Sequence, residues 1–199
     1  MNPARTGIGF RVKTGYAPAI ALAGPATAPA FVCRELVLLS NLDDDDSRQP
    51  YHAGLHRGEA VGRAVVKQAR RDAERRAGSA LEGLMERLGR DAAKPRCIGL
   101  VAGSNVDPAT LGNLHIRAHA LEGRFFREAL EEAAKQALLR CITILEREAF
   151  DRAAEQLDCS MGQLKMGLTR IGAAAGRPWR RDEQLAAVAA WLALASRSA

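Results

Sequence analysis

Residues 97–102 read CIGLVA, a continuous apolar run that ends at Gly103. Six apolar residues in a row that end at a turn residue are typical of a strand covered on both faces of a sheet. The segments on either side have a helical pattern, because apolar residues recur every three or four positions from about Glu59 to Arg90 and from Ile116 to Leu138. The pattern therefore predicts a central strand between two long helices.

Strands and helices extend this pattern in both directions. Before the first long helix, Ile8 to Leu22 predicts two strands joined by a tight turn, and Phe31 to Leu39 predicts a third. After the second long helix, CITIL at Cys141 to Leu145 predicts a fifth strand. Three shorter helices are predicted to complete the chain: Phe150 to Leu157, Met161 to Ile171, and Glu183 to Leu194 with Asp182 as its N-cap.

This order predicts an α/β fold with a mixed five-stranded sheet flanked by helices and followed by extra C-terminal helices. The first three strands form a meander, while strands four and five each follow a crossover helix and should lie parallel in the sheet. The length of 199 residues and the absence of a low-complexity linker favour a single α/β domain over residues 1–199. A chain of this size needs no disulfide or structural metal to remain folded.

Charge and cysteine usage bound the partners and the compartment. The formal net charge of +6 and the pI near 9.5 favour contact with an anionic partner, such as RNA or DNA. The four cysteines form no CxxC pair and are interpreted as small buried thiols in a reducing compartment. The N-terminus has no secretory pattern, and the longest apolar stretch, Leu185 to Ala195, is too short for a membrane span. We therefore expect a cytoplasmic protein with no membrane partner.

Three segments carry a resemblance to a known family. They are RVKTGYA at residues 11–17, IGLVAGSNVDP at 98–108, and ILEREAFDRAAEQL at 144–157, with Phe125 and Phe126 on the helix between the last two. In these motifs and in its element order the chain resembles the ribonuclease H-like superfamily, and within it the Holliday-junction resolvase-like nucleases that include a ribosomal-RNA maturation enzyme. The resemblance implies a ribonuclease H-like fold. It also implies a nuclease site in which acids on strand one, strand four and the last strand or helix hold two divalent metals.

The first strand departs from that pattern. It reads Phe10, Arg11, Val12 and Lys13, so the acid expected on strand one is missing and cations stand nearby. The acids nearest the other two strands are Asp107 and Glu146, which are the carboxylate candidates for catalysis. Two-metal chemistry needs several carboxylates, so magnesium is expected only if the nuclease site is intact. The sequence thus predicts a nucleic-acid-associated protein of ribonuclease H-like fold that is catalytically degenerate.

A histidine pair forms a second candidate site. On a helix, His115, His119 and Glu122 lie four and then three residues apart, on one face. Such spacing can hold zinc or another transition metal, or supply a general acid and base, so His115 and His119 are also candidate catalytic residues. The alternative is that they merely pack and hydrogen-bond near the preceding loop. A histidine-based metalloenzyme is therefore a further hypothesis, and the identity of any metal stays open.

Two charged segments have two interpretations each. The basic residues on one side of the first long helix could bind the backbone of a polyanion, or they could simply form a solvated helix face. The candidate nucleic-acid-binding residues are Lys13, Arg63, Lys67, Arg70, Arg71, Arg117 and Arg124. The aspartates from Asp43 to Asp46 suit a solvated surface loop or, less simply, a metal site, and the same loop continues through His52 as a functional loop or an ordinary turn.

The C-terminal helix supports an alternative function. Its sequence, LAAVAAWLALA at residues 185–195, is apolar almost all round, so it must be covered by its own domain or by a second chain. The alternative is a non-catalytic assembly or scaffold subunit, in which residues 183–194 dock on a protein partner or form a homodimer.

Overall fold

A computed structural model describes residues 5–55, 57–88 and 94–196 of the chain. Its five strands are β1 (Thr6–Arg11), β2 (Tyr16–Ala23), β3 (Ala30–Leu38), β4 (Cys97–Ala102) and β5 (Arg140–Leu145). They form one sheet in the order β3-β2-β1-β4-β5. The pairs β1/β2 and β2/β3 are antiparallel, while β1/β4 and β4/β5 are parallel. The predicted meander and the mixed sheet, with strands four and five in parallel, are confirmed.

Helices cover both faces of the sheet. They are α1 (Asp45–Arg48), α2 (Pro50–Gly54), α3 (Glu59–Arg87), α4 (Leu114–Gln136), α5 (Ala149–Gln156), α6 (Met161–Ala175) and α7 (Arg181–Ala195). The long helices α3 and α4 pack on one face, and α5, α6 and α7 pack on the other. Helix α3 runs unbroken through Gly78 and Gly83. Its buried alanines and leucines recur every three or four residues along one face, and this regular spacing explains why the helix is continuous.

Helix α7 lies in direct backbone contact with the sheet. A Cβ atom added to Gly9 would lie 2.1 Å from the amide nitrogen of Ala190, and one added to Gly99 would lie 2.3 Å from the carbonyl oxygen of Ala189. All residues from Leu185 to Leu194 are buried. The predicted burial of this helix is confirmed, and its own sheet supplies the cover. The surface on which the assembly or homodimer hypothesis rested is therefore not available to a partner.

The glycine contacts also fix the direction of α7. Gly7 faces Ala190 and Leu194, whereas Gly9 faces Ala186 and Ala190, so the helix runs antiparallel to β1. Two strand residues advance about 6.6 Å and four helix residues about 6 Å, so the two elements stay in step. Two residues beyond Gly9, the end of β1 must therefore meet the first turn of α7. This geometry places Arg11 beside Asp182.

Two local predictions were wrong. The aspartate-rich segment is not a plain surface loop, because it forms α1 and α2: the Asp44 side chain caps α1, and Pro50 occupies the first turn of α2. Asp45 and Asp46 pair with Arg48 and Arg57, which gives this acidic run a structural role. Asp182 is not the N-cap of the last helix either.

Helix α7 instead begins two residues earlier than predicted. Its N-cap is Arg180, whose backbone N–H donates to the Glu183 carboxylate at 2.8 Å. Asp182 therefore lies in the first turn, and its carboxylate is free to form ion pairs outside the helix. Within the described residues, no helix is both long and apolar enough to cross a bilayer.

Candidate functional site

The carboxyl ends of β1, β4 and β5 meet at one edge of the sheet. Because these strands are parallel, Arg11, Gly103 and Glu146 lie at or just beyond the same edge. The first turn of α7 reaches this edge from one face, and α4 borders it from the other. A cleft of about 240 Å³ opens there, lined by residues that include Lys13, Ser104, His119 and Arg124. His119 of α4 therefore shares this edge with Lys13.

Arg11 occupies the last position of β1, at the carboxyl edge of the sheet. The residue is 5% exposed. Its guanidinium donates to the carbonyl oxygens of Val12 at 2.9 Å and Val101 at 3.3 Å. It also forms a close ion pair with the Glu146 carboxylate and a second, at 3.6 Å, with Asp182. A buried arginine with this many partners is fixed in place by the strands and helix around it.

The acids beside Arg11 are neutralised by further cations. Lys13 lies 3.6 Å from Asp182, and Arg181 lies 3.9 Å from Glu146. Three cations therefore surround two carboxylates. Two magnesium ions do not fit this arrangement, because they need carboxylate oxygens that are free of competing cations. Residues of the described chain thus form an ion-pair network where the resemblance implied a metal centre.

Asp107 does not join this network. Its side chain accepts a hydrogen bond from the backbone N–H of Ala109 at 3.0 Å and so caps a short 3₁₀ turn, Pro108–Thr110. Its charge acts on Arg124, on the α4 side of the cleft. Of the two candidate acids, Glu146 therefore contacts Arg11, whereas Asp107 stabilises the loop after β4.

The cleft presents cations and hydroxyl groups toward solvent. Lys13 is about one-third exposed, and the Arg124 side chain is 55% exposed. Arg124 donates to Glu128 at 2.6 Å, and Arg70 donates to the same carboxylate at 3.2 Å. Burial alone would raise the pKa of Glu128, but the two arginines outweigh it and hold the pKa below its ordinary value. Two cations share one carboxylate, which leaves positive charge at this wall of the cleft.

The other predicted nucleic-acid-binding residues lie elsewhere. Arg63 pairs with Glu59 on α3, and Lys67 and Arg71 are exposed on the same helix. Arg70 lies over the Phe125 ring at 5.0 Å, so it helps to pack α3 against α4. Arg117 donates to the carbonyl oxygen of Leu111 at 3.0 Å and holds the loop before α4. Of the seven candidates, Lys13 and Arg124 line the cleft.

A cluster of three imidazoles lies next to the cleft. His115 and His119, one turn apart on α4, meet His52 from α2. One ring nitrogen of each histidine lies within 4.8 Å of the others. The Glu122 side chain, 0% exposed, accepts from the His52 backbone N–H at 3.2 Å and from its Nδ1 at 2.9 Å. His115, His119 and Glu122 therefore lie on one face of α4. His52 also belongs to the imidazole cluster, which the spacing on α4 could not reveal.

Comparisons with known proteins identify the fold. No family model matches the sequence, and no curated protein sequence matches it. Thermus thermophilus RuvC bound to a Holliday junction superposes with a TM-score of 0.55 at 8% identity, covering 94% of this chain and 91% of RuvC. The chain has the ribonuclease H-like fold. A second structure of Thermus thermophilus RuvC gives a TM-score of 0.53 at 11% identity, with coverages of 94% and 92%.

A third solved structure is also similar in outline. The yeast mitochondrial Holliday junction resolvase Ydc2 gives a TM-score of 0.47 at 10% identity, covering 97% of this chain and 81% of Ydc2. At identities this low, the two RuvC structures establish the ribonuclease H-like fold and nothing beyond it.

Proposed function

We propose that this protein binds nucleic acid through the cleft at the carboxyl edge of its ribonuclease H-like sheet and does not cleave it by two-metal chemistry. The observation that carries the proposal is the buried, ion-paired Arg11 at the end of β1. It lies on strand one, for which the resemblance implies an acid, and it forms an ion pair with Glu146, the candidate acid after β5. The same residue therefore opposes cation binding and favours an anionic ligand.

Electrostatics supports the absence of a magnesium pair. A guanidinium about 4 Å from a divalent ion would repel it by several kcal/mol even at an effective dielectric near 20. Displacing Arg11 to relieve this repulsion would break its pairs with Glu146 and Asp182 and its hydrogen bond to the Val12 carbonyl. Removing one partner of a largely buried ion pair costs about 3–5 kcal/mol. Metal binding would have to overcome both terms.

The cleft lining suits a phosphate backbone. Lys13 and Arg124 border it as accessible cations, and Thr14 and Ser104 border it with hydroxyl groups that can donate to phosphate oxygens. The net charge of +6 adds a long-range field that attracts a polyanion. Such contacts position a nucleic acid without reading its sequence, so we expect binding that depends on salt and little on base order.

Replacing both accessible cleft cations should weaken binding strongly. The double variant K13A/R124A removes two phosphate contacts, each contributing roughly 10-fold to affinity near 0.1 M salt, so the dissociation constant should rise roughly 100-fold. The slope of log affinity against log salt should fall by about 2. Fluorescence anisotropy with labelled duplex DNA, four-way-junction DNA and structured RNA, over a salt series, measures both quantities.

The matched control removes two positive charges from a helix that does not line the cleft. Lys165 and Arg170 are exposed on α6, so K165A/R170A also lowers the net charge by two but leaves the cleft unchanged. We expect this control to keep the wild-type salt slope. Equal losses in the two double variants would contradict a cleft-specific interface, and absence of binding at low salt would overturn the proposed function.

A further inference from the structure

We propose that His52, His115 and His119 form a binding site for a divalent transition metal, with zinc as the best-suited ion. The site is separate from the Arg11 network and does not depend on nucleic-acid binding. Two elements build it, because His52 comes from α2 while His115 and His119 lie one turn apart on α4. A bound ion would therefore tie the short helix α2 to the long helix that borders the cleft.

The donor set fits zinc. The three imidazoles place one nitrogen each within 4.8 Å of the others. His52 Nε2 lies 3.0 Å from His115 Nδ1, and His119 Nε2 lies 3.2 Å from His115 Nε2. These two contacts use different nitrogens of His115, so a shared ion would bind only one of them. Tetrahedral zinc with bonds of about 2.0–2.1 Å spaces its nitrogen ligands about 3.3 Å apart, and the exposed His115 and His119 rings would turn to bring one nitrogen each to that spacing. Imidazole nitrogens favour zinc, copper and nickel over magnesium or calcium.

Glu122 orients one of these ligands from behind. Because its Oε1 accepts a hydrogen bond from His52 Nδ1 at 2.9 Å, neutral His52 must present the unprotonated Nε2 toward the other two rings. A carboxylate that fixes the tautomer of a metal-binding histidine in this way is a general feature of zinc sites. The backbone N–H of His52 donates to the same oxygen at 3.2 Å, which holds the residue in place.

The second carboxylate oxygen of Glu122 also indicates a cation at this site. Its side chain is completely buried, and its Oε2 has no hydrogen-bond partner among the described residues. An isolated buried carboxylate is costly unless a positive charge compensates it. His119 Nδ1 lies 3.9 Å from Oε2, which is too long for a hydrogen bond but close enough for electrostatic attraction to a charged ligand set. A dication held by the three imidazoles provides the missing charge.

The fourth coordination position is open to solvent. The His119 side chain is 52% exposed and also lines the cleft, so no protein group need complete the tetrahedron. Three histidines with one free position match the composition of zinc sites that keep a water or an exchangeable oxygen ligand. The fourth ligand is expected to be water or an oxygen donor from solution.

Metal titration of the chelator-treated, full-length protein tests the site directly. Isothermal titration with Zn²⁺ should give one equivalent per chain with a dissociation constant in the micromolar range or below. Cobalt substitution should produce the visible absorption bands of a four-coordinate ion. At a free Zn²⁺ concentration 100 times the dissociation constant, Tm should rise by roughly 5–10 °C.

Variants identify the ligands. H115A and H119A each replace an exposed side chain, so they should fold normally while losing the high-affinity site. E122Q keeps the shape of the buried side chain but removes its charge, and it should weaken Zn²⁺ binding by about 10–100-fold. R117A, on the same helix but bonded to the Leu111 carbonyl, is the control that should keep wild-type stoichiometry.

Two outcomes would overturn the metal site. One is Zn²⁺ binding that is only millimolar or has no defined stoichiometry in the wild-type protein. The other is one-equivalent binding that persists unchanged in H115A and H119A. Because the titration contains no nucleic acid, its failure would leave the cleft proposal intact, and failure of the cleft proposal would leave the metal site intact.

Discussion

Replacing Gly9 with alanine should lower the free energy of unfolding by about 3 kcal/mol or more. The added methyl group would lie 2.1 Å from the Ala190 amide nitrogen and 2.2 Å from the Ala186 carbonyl oxygen, and both atoms belong to the backbone. No side-chain rotation can relieve that overlap, so α7 would have to move away from β1 and open the buried layer between them. Urea unfolding, followed by circular dichroism, measures the change, and a Tm decrease of roughly 6–12 °C should accompany it.

The matched control is the same substitution on a helix. Gly78 lies within α3, and a Cβ atom there would meet nothing within 4 Å. G78A should therefore raise stability by about 0.5–1 kcal/mol, since alanine restricts the unfolded chain more than glycine and favours the helix. A G9A protein as stable as the wild type would show that α7 does not lie directly on the sheet.

Replacing Arg11 with methionine should cost about 3 kcal/mol of stability. Methionine retains much of the apolar stem but leaves Glu146 and Asp182 close together without their shared cation. Neutralising those two acids should restore part of the loss, so R11M/E146Q/D182N should be more stable than R11M by at least about 1 kcal/mol. Chemical denaturation of the three proteins at one ionic strength measures this coupling.

An exposed pair provides the control for Arg11. The Arg147 side chain is 79% exposed and pairs with Glu148 on the surface. R147M should change stability by no more than about 0.5 kcal/mol, because exposed ion pairs are screened by water. If R11M and R147M had equal effects, the Arg11 network would be a surface feature and would not define the site.

The regular elements of this fold could be predicted because their causes are local. The apolar run at Cys97–Ala102 matches β4 at both ends, and the helical spacing that starts at Glu59 matches the start of α3. The parallel direction of strands four and five followed from connectivity, since each of them comes after a crossover helix. The residues of β1 could also be read directly, since Thr6–Arg11 contains no acid and ends in an arginine.

Other features depend on contacts between distant residues. His52 meets His115 across 63 residues, and no local pattern links the two. Asp182 looks like a helix cap by residue type, but its carboxylate pairs with Arg11 and Lys13 because α7 runs antiparallel to β1. The polar residues before His52 are equally compatible with a loop and with two short capped helices, so composition alone could not distinguish them. The glycines at β1 and β4 carried a usable signal, since paired glycines in strands indicate close backbone approach.

Binding without cleavage can be tested by incubating the wild-type protein with four-way-junction DNA and structured RNA in Mg²⁺ or Mn²⁺. Binding and strand integrity are followed on the same samples. We predict salt-sensitive complexes in which both substrates stay intact. Incision that requires the divalent metal and is lost in E146A or D107A would contradict the account, because it would show that these carboxylates hold catalytic metal despite Arg11.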